Sequence, residues 1–429
     1  MVDISPFRGL LYNKEKTGDL STVISPPYDV ISDQLKKKLS GSNHYNIVNL
    51  ILPEGDEDNK YSAARDLLNN WISRGVLGFD KDESYYILEI DFSIDGKKKI
   101  ITGFIGLTKL EPYKNNIVLR HEKTSSIPRK DRYGLLKKCR ANFGLIYTVY
   151  RDRERLITQI LKSYKNREPF TEIFPYYDQN LSLRLWKITN KKDMSIITDT
   201  MRDKKILIAD GHHRYETSLK YKNESSSSDS DSGSIAGIRA EDFALTLFME
   251  SSQENIKIYP TYRSIKFQDF KDFELFIQKS SVCFNIIITN IKSSADITVF
   301  LDDLKKKSVR GFIFYTRENK FYSFTAIKTE ERPCKCDFSD KELDVNILHT
   351  ILIRDLEYLY GKSEITFSHD FDLIIERVKN GDSDLGIFFN APTINEMEEI
   401  CNSGKLMPQK STYFWPKLPT GLVMYKFDK

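Results

Sequence analysis

The side chains best suited to chemistry lie in one run near the middle of the chain: Asp210, Gly211, His212, His213 and Arg214. This motif follows the short apolar segment 206–208 and leads into residues 218–221, which have helical character. A buried strand, a glycine turn and a helix start together present backbone N–H groups and the positive end of the helix dipole to an anion. The arrangement predicts a phosphate-binding site.

Each residue of the motif has an expected part in holding a phosphate. Asp210 occupies the position of a helix N-cap, and Gly211 lets a ligand approach the backbone closely. Arg214 is expected to bind the phosphate through two charge-assisted hydrogen bonds. His212 or His213 donates another, more strongly when it is protonated. The helix end itself favours a negative charge by about 0.3–1 kcal/mol, rising to about 2 kcal/mol where the site is partly buried.

Metal binding is a second interpretation of the same helix start. Glu216 lies four residues after His212 and three after His213, so either pair shares a helix face. His121 and Glu122 form another cluster upstream. A metal-dependent hydrolase that uses His121, His212, His213 and Glu216 therefore stays open, although no HExxH pattern fixes a third ligand.

Glu122 is the candidate general base. It lies in a loop of charged and hydroxyl residues with Thr124, upstream of the basic segment 128–132. A carboxylate beside bound phosphates could take the proton of an attacking hydroxyl, a role worth about 10²–10⁴ in rate. Alternatively, Glu122 and Asp210 hold Mg²⁺ together, because that ion prefers oxygen ligands.

The composition is that of a globular protein and argues against several classes of partner. The 429 residues carry a net charge of +4, which gives no electrostatic case for nucleic acid as the main partner. No apolar run approaches the length of a membrane span, and residues 1–6 lack the features of a secretory signal. The five cysteines are sparse and odd in number, which argues against a disulfide framework and for a cytoplasmic protein. Cys334 and Cys336 could form half of a zinc site, but no second pair lies near them in sequence.

Hydrophobic periodicity predicts a mixture of helices and strands along the chain. Helices are predicted at 61–76, 269–279, 341–360 and 394–401, and strands at 46–52, 85–94, 99–107, 143–150, 181–188 and 243–249. The dipeptide Asp95-Gly96 predicts a hairpin turn between two of these strands.

Two irregular segments have open interpretations. Segment 25–31 is held extended by its two prolines, and it either lines a pocket through Tyr28 and Asp29 or serves as a rigid connector. Residues 225–234 contain no apolar side chain, so little could offset the entropy lost on ordering them. They predict a mobile surface loop, which either closes over a ligand or is a tolerated insertion.

Six segments, spread in order along nearly the whole chain, resemble the signatures of an uncharacterised family, the domain of unknown function 1015. They are Pro26 to Ile31, His121 to Thr124, Asp131-Arg132, Arg140 to Asn142, Ala209 to Thr217, and Met407 to Lys417. The Ser/Asp-rich insertion after the motif departs from the family pattern.

The central part is also similar, more distantly, to the ParB/sulfiredoxin-like superfamily, which includes partition proteins, sulfiredoxins and a free serine kinase that uses ADP. The similarity rests on the His-Glu loop, a short helix, an extended segment and the Asp210–Arg214 motif. It implies that Glu122 matches the catalytic glutamate of the serine kinase and that the motif matches its phosphate-binding site. Sulfiredoxins carry a cysteine where His212 stands, which argues against sulfinic acid reduction.

These resemblances imply a mixed α+β fold: a ParB/sulfiredoxin-like core with additional N- and C-terminal α/β regions. We expect an N-terminal α+β region over residues 1–110 and a nucleotide-binding core over 111–250. The C-terminal α/β region is expected over 251–429.

The expected function is that of a nucleotide-dependent phosphotransferase acting on a small hydroxyl acceptor such as free serine. It would use ADP or ATP with Mg²⁺ at Glu122 and Asp210, and its catalytic residues would be Glu122 and His213. The phosphate-binding residues would be Asp210, Gly211, His212, His213, Arg214, Thr124, Arg132 and Asn142. A nucleotide-sensing regulator of ParB type and the metal-dependent hydrolase are the alternatives. The expected partners are the nucleotide and the acceptor, without a membrane, and a homo-oligomer stays open.

Overall fold

The computed structural model describes residues 1–56, 59–94, 96–122, 124, 126–228, 239–331, 336, 338–339 and 341–427. The contacts of the chain form two compact units. The first unit consists of Met1–Arg120, Thr124–Lys257 and Pro416–Lys429, and the second of His121–Lys123 and Ile258–Trp415. The expected division at residues 110 and 250 stays a prediction. Asp95 of the predicted hairpin turn and residues 229–234 of the predicted loop lie outside the described residues.

The first unit is built on a mixed sheet, which has nine strands within the described part of the chain. Its central strands are buried along most of their length, because their apolar side chains pack on both faces. The strands follow one another in the order Val118–Leu119, Ile206–Asp210, Ile146–Tyr150, Phe243–Glu250, Lys97–Lys109, Tyr85–Ile94, Leu181–Ile188 and Thr171–Ile173, and Ile4–Ser5 also pairs with Lys97–Lys109. The strand that ends in the motif is thus second from one edge.

Helices of the first unit pack their apolar faces into two clusters of buried side chains. In the helix Leu156–Lys165, for example, Ile157, Leu161 and Tyr164 recur at helical spacing and are buried. The α-helices are Lys14–Thr17, Asp33–Ser42, Val48–Ile51, Asn59–Ser73, Ser126–Cys139, Leu156–Lys165, Lys191–Arg202 and His212–Ser228. Two small strand pairs complete the unit: Leu10–Tyr12 with Leu77–Phe79, and Ala141–Asn142 with Tyr425–Lys426.

The second unit has an antiparallel sheet, with six strands among the described residues. Their order is Phe284–Thr289, Phe321–Ala326, Gly311–Thr316, Leu385–Phe389, Tyr262–Phe267 and Ser363–Ser368. The α-helices are Glu274–Ser280, Ser294–Lys306, Asp344–Ile347, Ile353–Tyr360, Phe371–Lys379 and Ile394–Asn402, with a π-helical turn at Leu348–Leu352. The short strands Lys257–Tyr259 and Tyr413–Trp415 lie near the two ends of the main segment.

The mixed α+β class is confirmed, and two local predictions are wrong. The predicted strand at 46–52 is the helix Val48–Ile51, because the Asn46 side chain accepts a hydrogen bond from the Val48 N–H at 2.9 Å and starts a helical turn. The cysteine count argued against disulfides, yet Cys283 and Cys336 form one. Cys334 lies outside the described residues. Cys336 is part of the disulfide, so its sulfur is not a free thiolate that could bind zinc. None of the described helices combines the length and apolar character needed to cross a membrane.

Candidate functional site

The motif lies where a sheet strand turns into a helix. The strand Ile206–Asp210 lies between a parallel neighbour, Val118–Leu119, and an antiparallel one, Ile146–Tyr150, and its register shifts between Ile208 and Asp210. Gly211 follows with φ of 98°, and the motif helix His212–Ser228 begins directly after it. The predicted order of strand, glycine turn and helix is therefore present.

Asp210 forms ion pairs with two cations. Its Oδ1 lies 2.6 Å from Lys417 Nζ, and its Oδ2 lies 2.6 Å from Arg214 Nη2. Burial on its own would raise the pKa of Asp210, but the Lys417 and Arg214 cations outweigh it and hold that pKa well below its usual range. The side chain is thus a fixed anion that orients two cations.

Arg214 is held in place from several sides. Besides its bond to Asp210, its Nη1 donates to the carbonyl oxygen of Leu145. Its guanidinium lies so close to the backbone that a Cβ at Gly211 would be 3.0 Å from Nε, and one at Gly144 would be 3.2 Å from Nη1. Gly211 therefore serves both the positive φ and the close approach of this guanidinium.

A pocket of about 610 Å³, including space open to solvent, lies beside the first two turns of the motif helix. Its polar lining consists of Tyr28, Arg132, Asn142, Arg214, Thr217, Ser218 and Thr420. Its apolar lining consists of Pro27, Ile51, Leu135, Leu136, Ala141, Phe143 and Ile146, together with Gly144. We call this the motif pocket. A lining that combines cationic, hydroxyl and apolar groups suits a ligand with an anionic and an apolar part.

Thr217 has a buried hydroxyl without a hydrogen-bond partner among the described residues. Its side chain is 4% exposed, it lines the motif pocket, and its Oγ1 makes no hydrogen bond within the described part of the protein. A buried polar group left in this state costs about 1–3 kcal/mol. A ligand oxygen in the pocket would remove that cost.

The two motif histidines differ in their surroundings. His212 is buried, with 3% of its surface exposed, whereas His213 is half-buried. The Nδ1 of His213 is buried and has no hydrogen-bond partner among the described residues. Burial lowers the pKa of His213, and the nearby Glu216 carboxylate only partly opposes this. At neutral pH the ring is therefore uncharged, with one nitrogen available to a ligand.

Glu216 is engaged by two arginines, and its interpretation as a metal ligand stays a prediction. Its Oε1 lies 3.1 Å from Arg120 Nη1, and its Oε2 lies 3.3 Å from Arg129 Nη1. The hydroxyl of Thr124 also donates to Oε2. Thr124, predicted to contact phosphate, is thus placed on the carboxylate of the motif helix.

Arg132 and Asn142, both predicted to contact phosphate, line the motif pocket. Arg132 Nη2 donates to the Ile51 carbonyl at 2.8 Å, and its guanidinium lies 4.2 Å from the centre of the Tyr28 ring. The Asn142 Oδ1 accepts the backbone N–H of Leu245 at 3.0 Å. That bond turns the amide so that its NH₂ group is the part left for a ligand.

Glu122 and His121 belong to the second unit. The Oε2 of Glu122 accepts the Lys410 backbone N–H at 3.1 Å. His121 is 1% exposed, and its Nε2 is 3.0 Å from the Thr412 hydroxyl. Both residues are tied to the segment 407–412, and no local sequence pattern predicts that pairing.

Asp210, one of the two residues expected to bind Mg²⁺, has both carboxylate oxygens held by cations. The part of the chain that the structure describes contains no group of three or more His, Cys, Asp or Glu side chains able to hold a metal. Binding of Mg²⁺ by Glu122 and Asp210 stays a prediction.

Several residues of the site escaped sequence reasoning. Lys417 is 207 positions from Asp210, and no pattern links the two. Thr217 and Ser218 continue the motif by one helical turn, so extending the helix-face argument would have found them.

Pro27 and Tyr28 line the motif pocket. Of the two interpretations of segment 25–31, the structure therefore favours the pocket lining over the rigid connector.

The family model described as a protein of unknown function, DUF1015, matches residues 4–346. The chain belongs to this family. The match spans the motif, the Pro-Pro-Tyr-Asp segment and the His-Glu loop, as the resemblance in the sequence implied. No curated protein matches the chain in sequence.

Solved structures resemble the chain only distantly. A mutant free serine kinase in complex with AMP has 13% identity and a TM-score of 0.35, covering 70% of this chain and 84% of its own. A conserved hypothetical protein from Pyrococcus furiosus has 13% identity and a TM-score of 0.34, covering 71% and 90%. SbnI from Staphylococcus aureus, truncated at its C-terminus, has 9% identity and a TM-score of 0.36, covering 72% and 84%. Sequence identities and TM-scores this low carry no argument about the function of this chain.

Proposed function

We propose that the motif pocket binds a nucleotide and that the protein is a nucleotide-dependent phosphotransferase. The observation that carries the proposal is the buried, unpartnered Thr217 hydroxyl in a pocket that also receives the Arg214 guanidinium. A hydroxyl donor and a fixed cation beside a helix start are a set of groups that phosphate oxygens satisfy.

The phosphate end of the ligand would lie against the motif helix. Arg214 is fixed by Asp210 and the Leu145 carbonyl, so little side-chain entropy remains to be lost when an anion binds. Thr217 and Ser218 add hydroxyl donors from the next turn. His213 would contribute its unpartnered nitrogen to the transferred group, as the proposed catalytic partner of Glu122.

The base of the nucleotide would lie against the apolar part of the motif-pocket lining. Leu135 and Leu136 of one helix and Phe143 supply apolar surface, and the Tyr28 ring, packed on Arg132, supplies an aromatic one. Flat heterocycles bind well between such groups. The Asn142 NH₂ is the polar group placed to read the base.

Glu122 is proposed as the general base from the resemblance in sequence, not from the pocket. It would take the proton of a small hydroxyl acceptor, of which free serine is one candidate, as the acceptor oxygen attacks the terminal phosphorus of ADP or ATP. The phosphoryl group passes to the acceptor, and the nucleotide leaves one phosphate shorter. Positioning and charge stabilisation account for most of the catalysis in such reactions.

Replacing Thr217 by valine is expected to weaken nucleotide binding without destabilising the protein. Valine keeps the shape but removes a hydroxyl whose bond to a charged phosphate is worth about 1.5–3 kcal/mol, or roughly 10- to 150-fold in Kd. Removing a buried, unpartnered hydroxyl is itself neutral or stabilising. Kd for ADP and ATP by isothermal titration calorimetry, with the melting temperature, measures both effects.

Thr108→Val is the matched control for this substitution. Thr108 is 1% exposed, its Oγ1 also lacks a partner among the described residues, and it belongs to the same unit but not to the motif pocket. Thr108→Val should leave the Kd for ADP and ATP unchanged. Equal nucleotide affinities in both variants and the wild type would mean that the motif pocket does not bind the nucleotide.

A further inference from the structure

Arg263 of the second unit is a fully buried cation. It lies on the strand Tyr262–Phe267 and is 0% exposed. Within the described residues, no carboxylate lies within ion-pair distance of its guanidinium, whose N–H groups donate to neutral acceptors. Burial lowers the pKa of Arg263 to about 9. An unpaired buried charge is costly, so its retention calls for an explanation.

The guanidinium is oriented by three hydrogen bonds and an aromatic ring. Nε donates to His349 Nε2 at 3.3 Å, and Nη1 donates to the Thr261 carbonyl. Nη2 donates to the Lys410 carbonyl at 3.2 Å, and the group lies 4.5 Å from the centre of the Phe367 ring. The first bond anchors the side chain to the π-helical turn Leu348–Leu352, the second to the residue before its own strand, and the third reaches the segment 407–412.

Lys410 connects this arginine to Glu122. The Lys410 carbonyl accepts from Arg263, while its N–H donates to Glu122 Oε2 at 3.1 Å. Lys410 has φ of 54°, a left-handed conformation that non-glycine residues adopt only when their surroundings hold them there. One peptide residue is thus fixed from both sides.

The same segment is bound to the Glu122 loop at two further points. The Met407 N–H donates to the His121 carbonyl at 2.7 Å, and the Thr412 hydroxyl lies 3.0 Å from His121 Nε2. Inside the segment, the Ser411 hydroxyl donates to the Pro408 carbonyl at 2.5 Å. The turn 407–412 therefore acts as the support of the loop that carries Glu122.

We propose that Arg263 is a positioning residue: by holding the Lys410 carbonyl, it fixes the turn 407–412 and so the direction of the Glu122 carboxylate. The inference rests on the proposed role of Glu122 as general base. A fully buried guanidinium suits the task because its planar fork can bind one carbonyl while its other nitrogens are anchored elsewhere. A lysine could not reproduce this arrangement with a single ammonium.

A double-mutant cycle tests the proposal. With Glu122 present, Arg263→Gln is expected to lower kcat for phosphoryl transfer on the order of 10- to 100-fold, as a misplaced catalytic group does, with the nucleotide KM unchanged. In a Glu122→Gln background, the same substitution should change kcat less than about twofold, because the residue it positions no longer acts. Equal losses in both backgrounds would mean a purely structural role and overturn the proposal.

Two additional variants guard against loss of folding. Arg263→Lys keeps a buried cation and should fold, yet lose most of the effect of Arg263 on kcat. Arg317→Gln is the control: Arg317 also donates to carbonyls of the second unit, those of Gly381 and Ser383, but it pairs with Asp384 at 2.7 Å and, among the described residues, makes no hydrogen bond to the turn. A wild-type kcat in Arg263→Lys, or an equal loss in Arg317→Gln, would contradict the positioning role.

Amide hydrogen exchange separates a failure of this inference from a failure of the proposed function. Peptides that cover 405–415 should exchange on the order of tenfold faster in Arg263→Gln than in the wild type, whether or not the protein transfers phosphate. Absence of transfer in the wild type would refute the function while leaving this measurement valid. Unchanged exchange in Arg263→Gln would refute the inference.

Discussion

Glu122→Gln is expected to lower the rate of phosphoryl transfer by roughly 10²–10⁴-fold and to leave nucleotide affinity unchanged. Glutamine has the shape of glutamate but cannot accept the acceptor's proton. Its amide oxygen can still accept the Lys410 N–H, so the loop keeps the bond that Glu122 Oε2 makes at 3.1 Å. The loss should therefore lie in kcat, measured by single-turnover transfer from radiolabelled ATP or ADP to a panel of hydroxy amino acids.

The control for this substitution is Glu364→Gln, which changes an exposed glutamate of the second unit. It should have wild-type kinetics. A Glu122→Gln variant that turns over at the wild-type rate would show that the carboxylate is not the base. If the variant lost nucleotide affinity instead of kcat, Glu122 would have a binding role and the mechanism would need a different base.

Asp210→Ala is expected to destabilise the first unit by about 3–5 kcal/mol, the usual cost of removing one partner from a buried ion pair. The aspartate lies 2.6 Å from both Lys417 and Arg214, whose side chains are 13% and 16% exposed. Without it, the two cations would face each other with little solvent. Urea unfolding of the variant and the wild type measures the difference.

The pH dependence of this difference follows from the lowered pKa of Asp210. A carboxyl group with a depressed pKa in the folded state stabilises the protein above its unfolded value of about 3.9, and that contribution is lost as the pH falls through the folded value. The difference in the free energy of unfolding between Asp210→Ala and the wild type should thus be constant from about pH 5 to 7 and shrink in stronger acid.

The control is Asp303→Ala, which removes an exposed pair with Lys307 and should change the free energy of unfolding by less than about 1 kcal/mol. A similar small effect of Asp210→Ala would contradict the account.

The order of strand, glycine turn and helix at the motif could be predicted because its information is local. An apolar strand, a glycine and a helix start are adjacent in sequence, and backbone geometry alone turns them into an N–H-lined helix end. The structure has the strand ending at Asp210 and the helix beginning at His212. The strand Leu181–Ile188 could be predicted for the same reason, because the alternation of its side chains is also a local pattern.

Long-range partners could not be predicted from the sequence. No local pattern pairs Asp210 with Lys417, which lies 207 positions away and is brought beside it by folding. Glu216 likewise meets Arg120 and Arg129, which come from other segments of the chain. In both cases the contact joins charges whose proximity depends on the whole fold.

Short apolar segments were ambiguous for a different reason. Ile47, Val48, Leu50 and Ile51 are all buried, so alternation carried no information about which way they face. The contact that favours a helical turn here is the hydrogen bond from the Val48 N–H to the Asn46 side chain. Cys283 and Cys336 were likewise paired by a fold that brings together residues 53 positions apart.

The most direct test of the central claim, that the motif pocket holds the phosphates of a nucleotide, is a calorimetric titration of the wild-type protein with adenosine, AMP, ADP and ATP. Arg214 and the start of the motif helix predict saturable 1:1 binding whose affinity rises with the number of phosphates, by about tenfold or more from adenosine to ADP. Adenosine binding as tightly as ADP, or no saturable binding by any of the four, would contradict the claim.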